Sequence, residues 1–258
     1  MNRNRFREAV AAGRRPVGHM VMEFGTRGIA KIIDSADLDF VVYDMEHSGF
    51  GMDRVFDLLA WAKAATFTPM VRVPQGKYHF LARVLDAGAM GVMIGNVETA
   101  EEAAEIVSFC KYPPTGRRGV GLGTAHNDYS MPTDPAAYLA QANENVIVIC
   151  QIESRKGVAN ADAIAATPGV DCLWIGHFDL SSEMGISGKF DHPQFTDARR
   201  RVVEAAQRHG KLLGVQPGST AMAAEWAQVG FNVLSWGSDI AVYRNALQGA
   251  AKTLKELP

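Results

Sequence analysis

Cysteine is scarce in this sequence, and its few residues show no pairing pattern. The 258 residues include only Cys110, Cys150 and Cys172, and no two of them form a CxxC pair. Two lie within apolar runs that are typical of buried strands. We therefore expect reduced core thiols rather than disulfides or a thiolate metal site, and we expect a cytoplasmic protein.

Long apolar segments and blocks of like charge are also absent. No apolar run approaches the length of a membrane span, and the first residues, MNRNRFREAV, lack the apolar centre of a signal peptide. The 26 basic and 28 acidic residues, a formal net charge of −2, are spread along the chain. The sequence therefore predicts neither a membrane nor a nucleic acid as partner.

What the sequence does contain is a regular alternation of short apolar runs and longer amphipathic segments. Most of the runs are apolar throughout, which is typical of strands covered on both faces. Strands are predicted at 17–22, 40–44, 69–73, 91–95, 146–153, 172–176, 212–216 and 232–236. Helices are predicted at 26–36, 52–65, 77–87, 99–111, 156–166, 193–209, 219–229 and 239–256.

Eight β–α units in a chain of this length predict a (β/α)₈ TIM barrel of the α/β class, with residues 1–258 as a single domain. A doubly wound open sheet is the alternative. One long Gly- and Pro-rich segment, 111–135, interrupts the pattern, and such loops usually act in function or in subunit contacts. Its GxGxG core does not join a strand directly to a helix, which disfavours a phosphate site.

Polar side chains follow several predicted strands at the point where each strand ends. The second ends in DMEH (44–47), the third carries Arg72, the fifth ends in QIE (151–153), and the sixth runs into GHFD (176–179). Because the carboxyl ends of barrel strands meet at one rim, which is where barrel enzymes have their active sites, we expect these residues to converge.

Glu153 and Asp179 are the candidate metal ligands. They follow neighbouring strands about 4.8 Å apart, so their charges repel unless they are protonated or bridged by a cation. Mg²⁺ is held by one or two carboxylates, with water and substrate completing its shell. Three ligands at the same rim would also suit Mn²⁺ or Zn²⁺. The alternative is that both are solvated acids, or partners of bases such as Arg155.

His47, Arg72 and Gln151 are the candidate catalytic and binding residues. Imidazole titrates near neutral pH, so His47 is a candidate general base, although it could equally be a packed or capping residue. Arg72 presents a fork suited to a carboxylate or an oxyanion, or to a salt bridge with a rim acid. Gln151 could orient a substrate carbonyl or satisfy loop backbone.

Six motifs in order, YDMEH, VRVP, LDAGA, KYPPTGRRGVG, QIES and GHFDLSSEMG, resemble those of the HpcH/HpaI class II (metal-dependent) pyruvate aldolase family. The resemblance spans about residues 16 to 245. It implies reversible cleavage of a 4-hydroxy-2-oxo acid to an aldehyde and pyruvate, or a related 2-oxo acid such as hydroxypyruvate. It also implies a homo-oligomer, a trimer or hexamer, with the C-terminal helix exchanged between neighbours.

The same resemblance implies a role for each site residue. Glu153 and Asp179 would hold Mg²⁺ or Mn²⁺, with Co²⁺, Ni²⁺ or Zn²⁺ as alternatives. His47 would take the proton of the 4-hydroxyl group, and Arg72 would stabilise the enolate oxygen. The remaining assignments are Asp86, which would raise the basicity of the histidine, and Gln151 with the backbone at Phe178 and Asp179, which would hold the pyruvate unit.

Three segments depart from the family pattern. His177 and Phe178 replace a proline and a small or amide residue, and the stretches GNV (95–97) and GVQPGS (214–219) also differ. The choice of 2-oxo acid and aldehyde is therefore open. Two other functions are also considered: a citrate or malyl-CoA lyase-like enzyme acting on a CoA thioester, and a non-catalytic barrel.

Overall fold

The computed structural model describes residues 3–257, and its strands form one closed parallel barrel. They follow chain order around the barrel, and the last strand pairs with the first. The predicted barrel is confirmed, and this closing pair excludes the open sheet. The strands are β1 (Val17–Val21), β2 (Phe40–Asp44), β3 (Thr68–Val73), β4 (Gly91–Ile94), β5 (Ile147–Ile152), β6 (Cys172–Ile175), β7 (Leu212–Val215) and β8 (Val233–Ser238).

All eight predicted helical segments contain helix, and 156–166 is divided in two at Asn160. Three further helices were not predicted: α1, α6 and α9. The helices are α1 (Arg5–Ala11), α2 (Ile29–Asp34), α3 (Met52–Ala62), α4 (Tyr78–Asp86), α5 (Ala100–Cys110), α6 (Pro135–Asn145), α7 (Arg155–Ala159), α8 (Ala161–Ala166), α9 (His177–Glu183), α10 (Pro193–Arg208), α11 (Thr220–Gln228) and α12 (Asp239–Lys255). Within residues 3–257, none is long and apolar enough to cross a bilayer.

Alternation along each strand divides the core into two layers. On β2, Val41 and Tyr43 face outward and pack under the helices, while Phe40 and Val42 fill the inside of the barrel. Phe6 of α1 joins the inner layer, with its ring edge-on to Phe40 at 5.5 Å between centroids. The barrel interior is therefore packed rather than open, as in other barrels of this kind.

The same alternation carries polar side chains to the inside of one end. On β2, every second residue faces inward, and these residues are Phe40, Val42 and Asp44. The same spacing relates Met70 to Arg72 on β3, and Ile149 to Gln151 and then Glu153 on and after β5. Asp44 is also the register partner of Arg72 across β2 and β3. The apolar layer thus ends in a polar layer at the carboxyl ends of the strands.

Candidate active site

A cavity of about 670 Å³ opens at the carboxyl ends of the strands. This volume is in the usual range for small-molecule sites. Its walls combine five of the predicted site residues with Met and Trp side chains and with the start of α12, and Glu153 lies behind the lining residue Gly176. The lining residues include Met20, Met22, His47, Arg72, Gln151, Trp174, Gly176, His177, Phe178, Asp179, Gln216, Gly218, Trp236, Ser238, Ala241, Arg244 and Asn245.

Arg72 is held in the floor of the cavity by two carboxylates. Its Nε and one terminal nitrogen donate to the two oxygens of Asp44, each at 2.7 Å, and its other terminal nitrogen lies 3.1 Å from Glu46 Oε2. Burial alone would lower the pKa of Arg72, but the hydrogen bonds and charge of Asp44 outweigh it and leave that pKa raised. The guanidinium is therefore a fixed positive charge with a set orientation.

Asp44 also shapes the turn that presents His47. Its carboxylate accepts from the backbone N–H groups of Glu46 (3.0 Å) and His47 (3.2 Å), and its carbonyl oxygen accepts from the Ser48 hydroxyl. The His47 side chain is 58% exposed, and its Nε2 lies 3.9 Å from Glu46 Oε2. The buried acid thus fixes the backbone while the imidazole faces the cavity.

Glu153 is a buried carboxylate among other negative charges. Burial raises its pKa, and the charges of Glu46 and Asp179 raise it further. The Gln151 amide donates to one of its oxygens, and the backbone N–H of Asn96 donates to the other at 2.6 Å. Asn96 has φ of 51°, a left-handed conformation that asparagine tolerates better than most residues.

Two glycines allow these carboxylates to approach the strand ends. A Cβ at Gly95 would lie 2.6 Å from Glu46 Oε1 and 3.0 Å from Glu153 Oε1, so both acids converge on this residue. A Cβ at Gly176 would overlap Glu153 Oε2. Glu153 therefore lies directly against Gly176, which lines the cavity, and a side chain at either glycine would displace a carboxylate.

The donor set fits a hard divalent cation that takes two ligands from the protein. Glu153 lies close enough to Asp179 for the two charges to interact, and the buried Oε2 of Glu46 is in ion-pair contact with Arg72 at 3.1 Å but forms no hydrogen bond within residues 3–257. Across that same range, no group of three or more His, Cys, Asp or Glu side chains could hold a metal. Glu153 and Asp179 would be the two protein ligands of such an ion.

Comparisons with known proteins agree on one family. Residues 25–246 match the model of the HpcH/HpaI aldolase/citrate lyase family. A 5-keto-4-deoxy-D-glucarate aldolase of Shigella boydii serotype 18 is 35% identical over 253 residues, which cover 98% of this chain and 97% of the relative. The chain belongs to this family.

Solved structures agree with this assignment. An HpcH/HpaI aldolase from Desulfitobacterium hafniense DCB-2 is similar with a TM-score of 0.92 at 34% identity, covering 98% of this chain and 97% of the other. An HpcH/HpaI aldolase/citrate lyase family protein from Burkholderia cenocepacia J2315 gives a TM-score of 0.91 at 31% identity, covering 98% and 100%. The chain is a class II aldolase, a carbon–carbon lyase that acts on small molecules.

In this aldolase, the cavity wall beside the carboxylates is formed by Gln151 and by the residues that follow β6. Gln151 is buried, whereas Phe178 is 59% exposed at the rim. His177, which departs from the family pattern, packs 4.8 Å from Phe178 and 4.8 Å from Phe190 between ring centroids. Burial lowers the pKa of His177 to about 4, so it is neutral and forms part of an aromatic wall.

Within one chain, Asp86 lies apart from His47, and the role that the resemblance implies for it stays a prediction. It is the last residue of α4, which runs back from the end of β3 towards the start of β4. Asp86 therefore lies at the opposite end of the barrel, where it accepts from Arg118 at 2.5 Å. The loop 111–135 lies at that end too, since Arg118 and His126 line a small cavity with Leu85 and Tyr138.

Some cavity residues were not found by sequence reasoning. Trp236, Ser238, Arg244 and Asn245 come from the end of β8 and the start of α12. They belong to no motif of the chain, and the amphipathic pattern of α12 predicts a helix without saying which face lines a cavity. Only the rule that barrel sites use every strand end could have indicated them.

Proposed function

We propose that this aldolase reversibly cleaves a 4-hydroxy-2-oxo acid to an aldehyde and pyruvate, or a related 2-oxo acid such as hydroxypyruvate. The observation that carries the proposal is one cavity lined by Asp179, a buried guanidinium and an exposed imidazole, with Glu153 directly behind the lining residue Gly176. Relatives named for a keto-deoxy sugar acid support the substrate class.

Cleavage begins with loss of the 4-hydroxyl proton to His47, the half-exposed base in the cavity. The C3–C4 bond then breaks, C4 and its oxygen become the aldehyde, and the electron pair passes through C3 and C2 to the 2-oxo oxygen. Protonation of the resulting enolate at C3 gives the methyl group of pyruvate. The steps run in reverse for aldol addition.

Arg72 is placed to stabilise the negative charge that develops on the 2-oxo oxygen. Its bonds to Asp44 and its contact with Glu46 occupy three of the five N–H groups of a guanidinium, which leaves two for a substrate. A donor that is already fixed in place costs no reorganisation during the reaction. Gln151, which lines the same cavity, would orient the 2-oxo acid.

Glu153 and Asp179 would hold the divalent ion, for which Mg²⁺ or Mn²⁺ suits the carboxylate donors best. When bound, the ion supplies Lewis-acid stabilisation of negative charge on the oxygens of a 2-oxo acid. Burial and the neighbouring acids raise the pKa of Glu153, and a bound cation, which takes the deprotonated carboxylate as ligand, opposes that shift.

The proposal is tested by pyruvate release from 4-hydroxy-2-oxopentanoate, measured after chelation and again after addition of Mg²⁺ or Mn²⁺. We expect release that depends on the ion and is lost in Asp179→Asn. The control Asp57→Asn, on the exposed face of α3, should behave like the wild type. Turnover of a CoA thioester without turnover of any 4-hydroxy-2-oxo acid would contradict the proposal.

We also propose that the aldolase is a homo-oligomer, predicted as a trimer or hexamer. The later part of α12 exposes Leu247 (52%) and Leu254 (65%), and Leu257 follows at 62%. Apolar side chains repeated along one exposed helix are typical of a subunit contact. Only a second copy of the chain could bring Asp86 near His47, so its proposed effect on the base depends on such an assembly.

A reducing compartment, the cytoplasm, suits the three cysteines. All are free and buried, and burial raises the pKa of Cys110 to about 12. Such thiols are inert as nucleophiles and have no partner with which to form a disulfide among residues 3–257.

A further inference from the structure

A second cavity lies at the amino-terminal end of the barrel strands, away from the proposed reaction. It has a volume of about 40 Å³ and lies between the end of α4, the loop 111–135 and α6. One water needs ~10–15 Å³ of such space, so this cavity has room for a small ion and a water. We call it the amino-end cavity. None of its described lining residues is Asp or Glu, and those with polar side chains are Tyr112, Arg118, His126, Tyr138 and Asn145.

Arg118 supplies a buried positive charge whose hydrogen-bonding capacity is only partly used. Its side chain is 3% exposed, and its Nε (3.2 Å) and one terminal nitrogen (2.5 Å) donate to the same oxygen of Asp86. These bonds occupy two of the five N–H groups of a guanidinium, so three have no side-chain acceptor within residues 3–257. Asp86 is 39% exposed, so water screens its charge more than that of Arg118.

Tyr112 adds a hydroxyl donor beside this guanidinium. The residue is almost fully buried, and its hydroxyl forms no hydrogen bond within residues 3–257. Burial raises the pKa of Tyr112 to about 12, so the hydroxyl keeps its proton and can donate it. The guanidinium carbon of Arg118 lies 4.5 Å from the centroid of the Tyr112 ring. A buried hydroxyl without a partner is unfavourable, which favours an occupant that accepts hydrogen bonds.

Tyr138 contributes one acceptor to the same wall. The Nε2 of His126 lies 2.9 Å from the carbonyl oxygen of Gly121, which can only accept, so Nε2 carries the ring hydrogen. Burial lowers the pKa of His126, so the ring is neutral and its Nδ1 accepts from the Tyr138 hydroxyl at 2.7 Å. The Tyr138 oxygen can therefore accept from a water in the cavity, while Arg118 donates to an ion beside that water.

The charges around the amino-end cavity favour an anion over a neutral occupant. The carbonyl oxygen of Val146, a lining residue, accepts from Lys111 at 2.9 Å and from Arg7 at 2.8 Å. Together with Arg118, these are three cations. They are opposed by two carboxylates, the partner of Arg118 and Asp171, which lies 3.0 Å from Arg7. One positive charge is left over, and in a buried site its attraction for a monovalent anion is only weakly screened.

We infer that the amino-end cavity binds a chloride ion, held by the free N–H groups of Arg118 and by the Tyr112 hydroxyl. The size of the cavity limits the ligand to a monatomic or similarly small anion, and its donors outnumber its acceptors. The ion connects the start of the loop 111–135 to its middle and so stabilises the folded loop. It takes no part in the proposed cleavage, and the inference does not depend on the proposed function.

The test compares thermal unfolding in sodium chloride and in sodium gluconate, whose anion is too large for the cavity, at equal ionic strength. We expect chloride at a tenfold excess over its Kd to raise the Tm of the wild type by about 3–6 °C. Tyr112→Phe removes one ligand of the ion and should lose most of this gain. In gluconate, its Tm should be no lower than that of the wild type, because the lost hydroxyl has no protein partner.

Two further measurements locate the effect. Tyr129→Phe removes a hydroxyl from the exposed part of the same loop and should keep the full gain in chloride. Crystals grown in bromide should show an anomalous peak within hydrogen-bonding distance of Arg118 and Tyr112. That peak, together with a chloride-specific gain that Tyr112→Phe loses, supports the inference.

Three results would overturn the inference. Equal Tm values in chloride and gluconate, with no bromide peak, would mean that the cavity holds only water. A bromide peak without any chloride-specific gain in Tm would indicate an adventitious ion only. A gain that is as large in Tyr112→Phe as in the wild type would place the chloride elsewhere, for example at Arg72 in the larger cavity.

Discussion

We expect Arg72 to combine a catalytic and a structural role in one buried side chain. We expect Arg72→Lys, which keeps the charge but not the fork, to lower kcat by ~10²–10³, the usual effect of losing an oxyanion donor. Arg72→Ala should in addition lower the free energy of unfolding by roughly 3–5 kcal/mol, because Asp44 is left buried without its partner. Steady-state kinetics and urea unfolding measure the two effects, and wild-type kcat in Arg72→Lys would contradict the role.

Glu153 should support activity as a metal ligand but should lower the stability of the metal-free protein. A carboxyl group whose pKa is raised by folding contributes most to stability below its unfolded pKa, and that contribution is lost as pH rises through the folded pKa. At neutral pH, Glu153→Gln should therefore raise the Tm of the chelated protein while abolishing activity. Mn²⁺ should raise the Tm of the wild type only. A lower Tm for the chelated variant would show that the charged form is stabilised.

At the scale of elements, the strand ends depend on glycines that leave room for carboxylates. In Gly95→Ala, the new Cβ would lie 2.6 Å from Glu46 Oε1 and 3.0 Å from Glu153 Oε1, so both acids must move. We expect weaker Mn²⁺ binding by calorimetry and an unchanged circular dichroism spectrum. Gly49→Ala is the control, since its Cβ would meet no atom within 4 Å. Equal Mn²⁺ affinity in Gly95→Ala and Gly49→Ala would show that the carboxylates do not need the space beside Gly95.

The strands and most helices could be predicted because burial on both faces leaves a plain apolar run in the sequence. The polar layer could be predicted too, since Asp44 and Gln151 continue the alternation of the strands that carry them. Helix α9 was missed because it begins directly after β6, where His177 and Phe178 resemble loop residues. Its seven residues are too few to show a helical period.

The places of Asp86 and Arg244 could not be predicted because they depend on which end of the barrel a helix residue reaches. Asp86 ends its helix and lies at the amino-terminal end of the strands, whereas Arg244 is near the start of α12 and lies at the cavity. A motif match reports the residue type at a position and does not report this geometry. In this barrel a helix begins near the carboxyl ends of the strands and ends near their amino ends, so the position of a residue along its helix decides which end it reaches.

At the scale of the whole molecule, the exposed apolar residues of α12 predict assembly. We expect Leu247→Glu combined with Leu254→Glu to reduce the oligomer to a smaller species, because charged groups are costly to bury in an apolar contact. Native mass spectrometry measures the change. Gln248→Glu, on the same exposed helix, is the control for added charge. An assembly that is unchanged in the double variant would exclude this surface as the contact.

We expect this barrel to form an enolate from pyruvate at the Glu153–Asp179 site. The most direct measurement is NMR detection of solvent deuterium entering the methyl group of pyruvate, with hydroxypyruvate as a second donor, with and without Mg²⁺ or Mn²⁺. We predict exchange that requires the ion and is lost in Asp179→Asn. Absence of exchange with both donors and both ions, or exchange that persists in that variant, would show that the Glu153–Asp179 site does not form the enolate.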